Sequence, residues 1–287
     1  MFHLGLDFGS TLTKMVLTEP DAEGEIPQLQ ASFQYKTHPD PSGFYEALEQ
    51  FLRDEQIPLA RIHHITATGT HANLVKDNIL RIPTRIVPEV PSIGLGGLAL
   101  SGLDNALVVN MGTGTTYVLA DKHECRHLGG TGMGGGTLSG LGVALLQTKS
   151  VSEIARLAAK GNLDHVDLLM KDVTDQEYPN LPPTLTAANF GKLAHQLHTR
   201  EAALASPEDM ACGLINMVLQ IIGSMAVMVC KSCSTKNVVF VGSLTRLPQL
   251  AAIAELFSNV YGLHFMVPPF AVFATALGST FTSDEYV

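Results

Sequence analysis

Five segments carry residue types and spacings that could do chemistry. The first is Asp7-Phe8-Gly9-Ser10-Thr11-Leu12-Thr13-Lys14, set between two apolar stretches. A tight Gly/Ser/Thr turn between strands points N–H and hydroxyl groups at one spot, which suits phosphate oxygens. Asp7 at the strand end could hold a hydrated Mg²⁺ beside them, and Lys14 could approach as a point charge. The Gly-x₄-Gly-Lys spacing of a Walker loop is absent. Asn110-Met111-Gly112-Thr113-Gly114-Thr115-Thr116 repeats the arrangement about 100 residues on, with Asp7 over Asn110, Gly9 over Gly112 and Ser10 over Thr113. The third segment holds eight glycines between Gly129 and Gly142. Regular structure tolerates glycine poorly, so this run is expected to bring backbone close to a ligand, with the following helix offering its N-terminus to phosphate. Glu89, alone among Val87, Pro88, Val90 and Pro91, could have a raised pKa and act as a general base. Arg126-His127, just before the glycine run, could supply a cation to a transferring phosphoryl group.

The elements that must position these residues follow from periodicity. His3–Asp7 and Leu12–Thr18 form a predicted hairpin, with Pro20–Gln28 a polar turn and Gln30–Tyr35 a third strand. A helix is expected over Pro41–Asp54, a strand over Arg61–Thr68, a short helix over His71–Asn78 and a short strand over Thr84–Val87. Pro88–Pro91 reads as a kinked segment before a small-residue helix, Ser92–Leu103. Ala106–Asn110 and Thr116–Ala120 form the second predicted hairpin. The glycine run leads into a helix near Leu138–Gln147, and Ser152–Lys160 is the next. Gly161–Pro183 looks irregular. Further helices are expected over Thr186–His198, Pro207–Lys231, Pro248–Ser258 and Ala271–Phe281, with strands over Asn237–Val241 and His264–Val267. Two related hairpins predict a duplicated α/β fold.

Composition bounds the function. The 287 residues are 46% hydrophobic and 16% charged, which gives a globular chain with a large core. The net charge of −9 argues against nucleic-acid or membrane-surface binding. It leaves room for an anionic ligand held by backbone N–H groups. Met210–Cys230 has no formal charge, yet Asn216, Gln220 and Ser224 recur every four residues. A buried or subunit-interface helix is expected there, not a membrane span. Cys230-Lys231-Ser232-Cys233 lacks a second pair, so a structural role is expected. The opening Met1–Lys14 shows no basic stretch followed by a long apolar run, and the expected compartment is the cytoplasm.

The order Asp-x-Gly-Ser-Thr-x-x-Lys (Asp7–Lys14), isolated Glu89, Asn-x-Gly-Thr-Gly (Asn110–Gly114) and Gly-Gly-x-Gly-x-Gly-Gly-Gly (Gly129–Gly136) resembles type II pantothenate kinases. The similarity continues through Leu185–Gly191, Val238–Ser243 and Ala271–Gly278, nearly the whole chain. The resemblance implies a duplicated ribonuclease-H-like, actin-like ATPase fold, with ATP in the cleft between lobes 1–104 and 105–287. It implies ATP-dependent phosphorylation of pantothenate, the first step of coenzyme A biosynthesis. Asp7, Gly9, Ser10, Thr11 and Lys14 would then serve ATP phosphates and Mg²⁺, with Asp7 at the metal. Gly112, Thr113 and Gly114 would contact phosphate, and Gly135, Gly136, Thr137, Leu138, Ser139 and Ser243 the nucleotide. Glu89 would be the general base. The family's arginine position is held by His127, with Arg126 one place earlier, so both are candidates for the cation. The family's Glu-x-Asp at the base is here Glu89-Val90-Pro91. A homodimer through the C-terminal helices is implied. A kinase of a related alcohol such as pantetheine, and a non-kinase ATPase regulator or activator, are the alternatives. Gly9–Lys14 also resembles dehydratase activators, whose cluster-binding cysteines have poor counterparts here.

Overall fold

The computed structural model describes residues 1–19, 28–37, 42–75, 78–176, 181–196, 205–233 and 235–282. Two five-stranded sheets share one topology. The first contains β1 (Phe2–Phe8), β2 (Leu12–Glu19), β3 (Gln28–Lys36), β4 (Ile62–Thr68) and β5 (Thr84–Ile86), in the order β3-β2-β1-β4-β5. The second contains β6 (Asn105–Met111), β7 (Thr115–Asp121), β8 (Cys125–Thr131), β11 (Asn237–Val241) and β12 (His264–Met266), in the order β12-β11-β6-β7-β8. In each, the first three strands in sequence run antiparallel and the last two join parallel to the first. The hairpin repeat is therefore the visible part of a whole-sheet duplication.

Alternation sorts the faces of the first sheet. Leu4, Leu6 and Phe8 pack outward under α1 (Ser42–Asp54), against Phe44, Leu48, Phe51 and Leu52. The residues between them, His3, Gly5 and Asp7, take the inner face. There two helices cross between the sheets. α2 (Glu89–Ser101) lies over Ala106, Val108, Val118 and Ala120 of the second sheet. α9 (Ala274–Ser279) comes back from the end of the chain to pack on the first sheet, with Ala276 and Leu277 against Val16. Each half of the chain thus lends a helix to the other half's sheet. They cross at small residues: a Cβ on Gly96 would lie 1.9 Å from the Ala274 carbonyl oxygen, and one on Gly278 would lie 1.9 Å from that of Ser92.

The outer face of the second sheet is covered by α3 (Gly135–Leu146), α4 (Val151–Ala158), α7 (Pro207–Cys233) and α8 (Gln249–Tyr261). Between α4 and α7 lie β9 (Leu168–Leu169), α5 (Met170–Val173), β10 (Thr186–Ala188) and α6 (Gly191–Gln196). α7 is long and apolar enough to cross a membrane, yet half of its most apolar window is buried in the fold. Its polar stripe holds the β10 segment. Fully buried Asp167 accepts hydrogen bonds from Asn216 Nδ2 (2.9 Å), Thr186 Oγ1 (3.1 Å) and the Phe190 N–H (2.8 Å), and Gln220 binds Asn189 (3.1 Å). Burying a carboxylate is costly unless donors surround it, and these donors meet that need.

Several expectations change. Residues 186–188 form β10, paired with β9, because Asp167 draws the following Asn189-Phe190 turn inward; the helix is confined to Gly191–Gln196, and 197–198 lie outside the described residues. Gly129 and Gly130 belong to β8, a strand hidden by its glycine content. Pro88–Pro91 is not a separate kink: α2 starts at Glu89, with Pro88 as its N-cap. The helix expected over His71–Asn78 is one 3₁₀ turn, Ala72–Leu74, and residues 76–77 lie outside the described residues, as do 20–27 of the polar turn. The terminal helix is a 3₁₀ turn, Ala271–Phe273, followed by α9. The irregular 161–183 stretch contains β9 and α5, with 177–180 outside the described residues.

The crossing gives a stability test. Gly278→Ala sets a methyl against backbone that cannot yield, so a loss of at least about 2 kcal/mol is expected. Thermal unfolding should show a clear fall in Tm; an unchanged Tm would refute the close crossing.

Candidate active site

Asp7 ends β1 and faces Lys14 on β2 in direct register. Lys14 Nζ donates to Asp7 Oδ2 at 2.7 Å, and both side chains are almost fully buried. Asp7 Oδ1 receives no hydrogen bond from the described residues and lies against Gly69, where a Cβ would come within 2.7 Å. Gly69 takes φ +95°, and its counterpart in the second sheet, Gly242, takes φ +91° with Asn110 Oδ1 in the same relation. The turn itself is tied down by Thr37, a residue the sequence reading did not single out. Its hydroxyl donates to the Gly9 carbonyl (2.8 Å) and its N–H to the Thr11 carbonyl (3.0 Å). It lies one residue past β3, where only the three-dimensional pairing brings it to the turn.

The second turn is narrower. The Gly112 N–H donates to the Gly114 carbonyl (2.8 Å). Behind it sits the glycine run, which packs closely on the second turn. The Gly135 and Gly136 N–H groups donate to the carbonyls of Gly112 and Thr113, each at 2.9 Å. A Cβ on Gly134 would lie 2.4 Å from the Thr113 oxygen. The close backbone approach is thus to the second turn. Leu138 is buried, and its N–H is spent on Gly134 (3.1 Å). Thr137 Oγ1 donates to the Gly132 carbonyl (2.7 Å) and accepts from the Gly134 N–H (3.2 Å). Ser139 is half-buried on α3, and Ser243 opens the 3₁₀ turn after β11, next to Leu244, which approaches Gly135.

The two turns meet. Ser10 Oγ and Thr11 Oγ1 lie 2.9 and 3.0 Å from Thr113 Oγ1, across about 100 residues of chain. Glu89, half-buried at the start of α2, lies close enough to Asp7 and Lys14 to feel both charges. Burial raises its pKa above the usual carboxylate range, the Asp7 charge adds to this, and Lys14 partly offsets it. The crossing fixes its position: Ser92, one turn along, donates its hydroxyl to the Pro88 carbonyl (2.8 Å), and its own carbonyl packs on Gly278.

Arg126 and His127 are neighbours on β8, so their side chains take opposite faces. His127 pairs with Val118, which belongs to the core beneath α2. Cys125, on the same face, lies under Gly94 of α2. His127 is therefore on the α2 face and Arg126, paired with Leu119, on the other. Both are exposed. Elsewhere, burial pushes the Cys230 thiol up to about 12, consistent with an inert role. Among the described residues no group of three or more metal-ligating side chains occurs.

Duplicated sheets, crossing helices and two hydroxyl-bearing turns that converge define a two-lobed protein of the actin-like ATPase fold. Comparison with known proteins agrees. The chain aligns with the activator of the 2-hydroxyisocaproyl-CoA dehydratase from Clostridium difficile with bound ADPNP at a TM-score of 0.63, with 19% identity, covering 98% of this chain and 93% of that one. That likeness shows the fold. Residues 105–262 match the family model described as Fumble. A type II pantothenate kinase of Staphylococcus haemolyticus (strain JCSC1435) is 32% identical over 222 residues, 76% of this chain and 82% of that protein. One of Staphylococcus aureus (strain USA300) is 30% identical over 245 residues, 84% of each. The chain belongs to the type II pantothenate kinase family.

Glu89 makes stability depend on pH. Its folded pKa is raised, so between the ordinary glutamate value of 4.5 and the raised value the native state binds more protons than the unfolded one. Stability therefore falls as pH rises through that window and stays lower above it. Glu89→Gln removes the effect: its Tm should exceed that of the parent at pH 7, with the gap closing as pH falls toward 4.5. Parallel melting curves with a constant gap would contradict this.

Proposed function

We propose that this chain transfers the γ-phosphoryl group of ATP to the primary hydroxyl of pantothenate, the entry step of coenzyme A synthesis. The observation that carries the reading is the convergence of Ser10, Thr11 and Thr113 hydroxyls on one point, beside a carboxylate of raised pKa. Membership of the family supports pantothenate as acceptor. The lobes are 1–104 and 105–287, with nucleotide between them. Hydroxyls and N–H groups of both turns contact the phosphates, and Gly135–Ser139 with Ser243 border the nucleotide. The glycine run acts by holding Gly112, Thr113 and Gly114 in shape. Asp7 Oδ1, turned away from Lys14, suits a hydrated Mg²⁺, which would neutralise phosphate charge when bound. Lys14 holds the Asp7 carboxylate in place through their 2.7 Å contact. Glu89 takes the proton from the acceptor hydroxyl as its oxygen attacks phosphorus in line. A raised pKa brings this base nearer to the alcohol proton it must accept. His127 is the cation candidate on the cleft-facing side. A second copy of the chain covers the outer face of α7, where Met228 is 69% exposed beside Met225 and Ile221. Sedimentation of the intact chain should give a dimer, and Met228→Asp should weaken it; a parent monomer would overturn this part.

The decisive assay couples ADP release to phosphorylated product with pantothenate and with pantetheine. Pantothenate should be the better acceptor. Glu89→Gln should lower transfer at least about a hundredfold while ATP affinity holds. His127→Arg should keep or raise turnover, and Arg126→Ala should leave it nearly unchanged. A reversed pattern, with Arg126 essential, would show that the β8 faces are assigned wrongly.

A further inference from the structure

The inner face of the first sheet holds a further polar residue at the site. Lys14, Asp7 and Thr68 stand in one row across β2, β1 and β4, since Asp7 pairs in register with both others. Residues in register share a face, so Thr68 lies beside Asp7, on the side of the row leading to β5 and Glu89. Its side chain is fully buried and its hydroxyl has no hydrogen-bond partner. Two residues earlier on the same face, Thr66 spends its hydroxyl on Ser279 of α9 at 3.1 Å. α9 thus satisfies Thr66 and leaves Thr68 unsatisfied. A valine would fill this strand position with the same shape and no stranded polar atom. Threonine there points to a ligand that completes it. Asp7 and Lys14 hold one side of the row, and the sheet continues on the Thr68 side through β5, which two residues separate from the start of α2 at Glu89. The space between is where an acceptor oxygen must sit.

We propose that the Thr68 hydroxyl contacts the acceptor alcohol, donating to its oxygen and orienting it between Glu89 and the γ-phosphoryl group. This rests on the kinase reading above. As the new O–P bond forms, the bond from phosphorus to the ADP oxygen breaks. The acceptor proton passes to Glu89, and Thr68 keeps its own.

The test uses the full chain as parent, Thr68→Val and Thr68→Ser, with Mg²⁺ and ATP, with and without pantothenate. Thr68→Val should keep or raise Tm and hold ATP affinity within about twofold. Its kcat/KM for pantothenate should fall roughly ten- to a hundredfold, and Thr68→Ser should recover most of the loss. Unchanged kcat/KM in Thr68→Val overturns the proposal. So does a parallel loss of Tm and ATP affinity, which would mark a structural residue. If the parent transfers nothing to pantothenate, that acceptor is wrong, and the contact is then decided on water as acceptor. ATP hydrolysis without pantothenate must fall in Thr68→Val and return in Thr68→Ser; if it does not, the contact is refuted as well.

Discussion

Where α2 and α9 cross, backbone meets backbone with no side chain between. The Ala274 carbonyl fills the space a Gly96 Cβ would need, and the Ser92 carbonyl does the same at Gly278. Because α2 covers the second sheet and α9 the first, this contact sets how one sheet stands against the other. Glu89 begins α2 only one turn from it. Glu89 is therefore located by helix packing, while Asp7 and Lys14 are located by strand register. A carboxylate on a loop would follow the mobility of that loop; one on the first turn of a packed helix does not.

The site also shows why glycine accumulates in this chain. One use is at the crossing. Another is behind the second turn, where Gly134, Gly135 and Gly136 press on the backbone of Gly112 and Thr113 and satisfy their carbonyls. The first turn has no such backing and is held by Thr37 and by the Lys14–Asp7 ion pair. The duplication preserved the sheets and the glycines after β4 and β11, while the two turns came to be braced by different means.

Much of this was legible in the residues. The hairpins, the register of Asp7 over Asn110, the isolated Glu89 and the long α7 all follow from local pattern. Three things did not. β8 was hidden because Gly129 and Gly130 read as loop, and with it the strand alternation that separates Arg126 from His127. β10 reads as helix in the sequence because its fate depends on Asp167, whose donors come both from β10 with the turn after it and from α7. Thr37 and Thr68 carry no local motif; their importance comes from neighbours 28 and 61 residues away, Gly9 and Asp7. Glycine spacing indicates a close backbone approach, and the folded chain adds the second turn as one of its partners.

The hydroxyl contacts from Ser10 and Thr11 to Thr113 have a consequence for how the cleft responds to its ligand. They are neutral hydrogen bonds at an exposed place, each worth about 1 kcal/mol net. A phosphate oxygen entering between them can accept from the same hydroxyls, and charge makes those bonds stronger. Under the proposed function, nucleotide would become the mortar between the two turns, taking over bonds that they make to each other. The two halves would be joined in both states by the same three side chains, with only the intervening atoms changed.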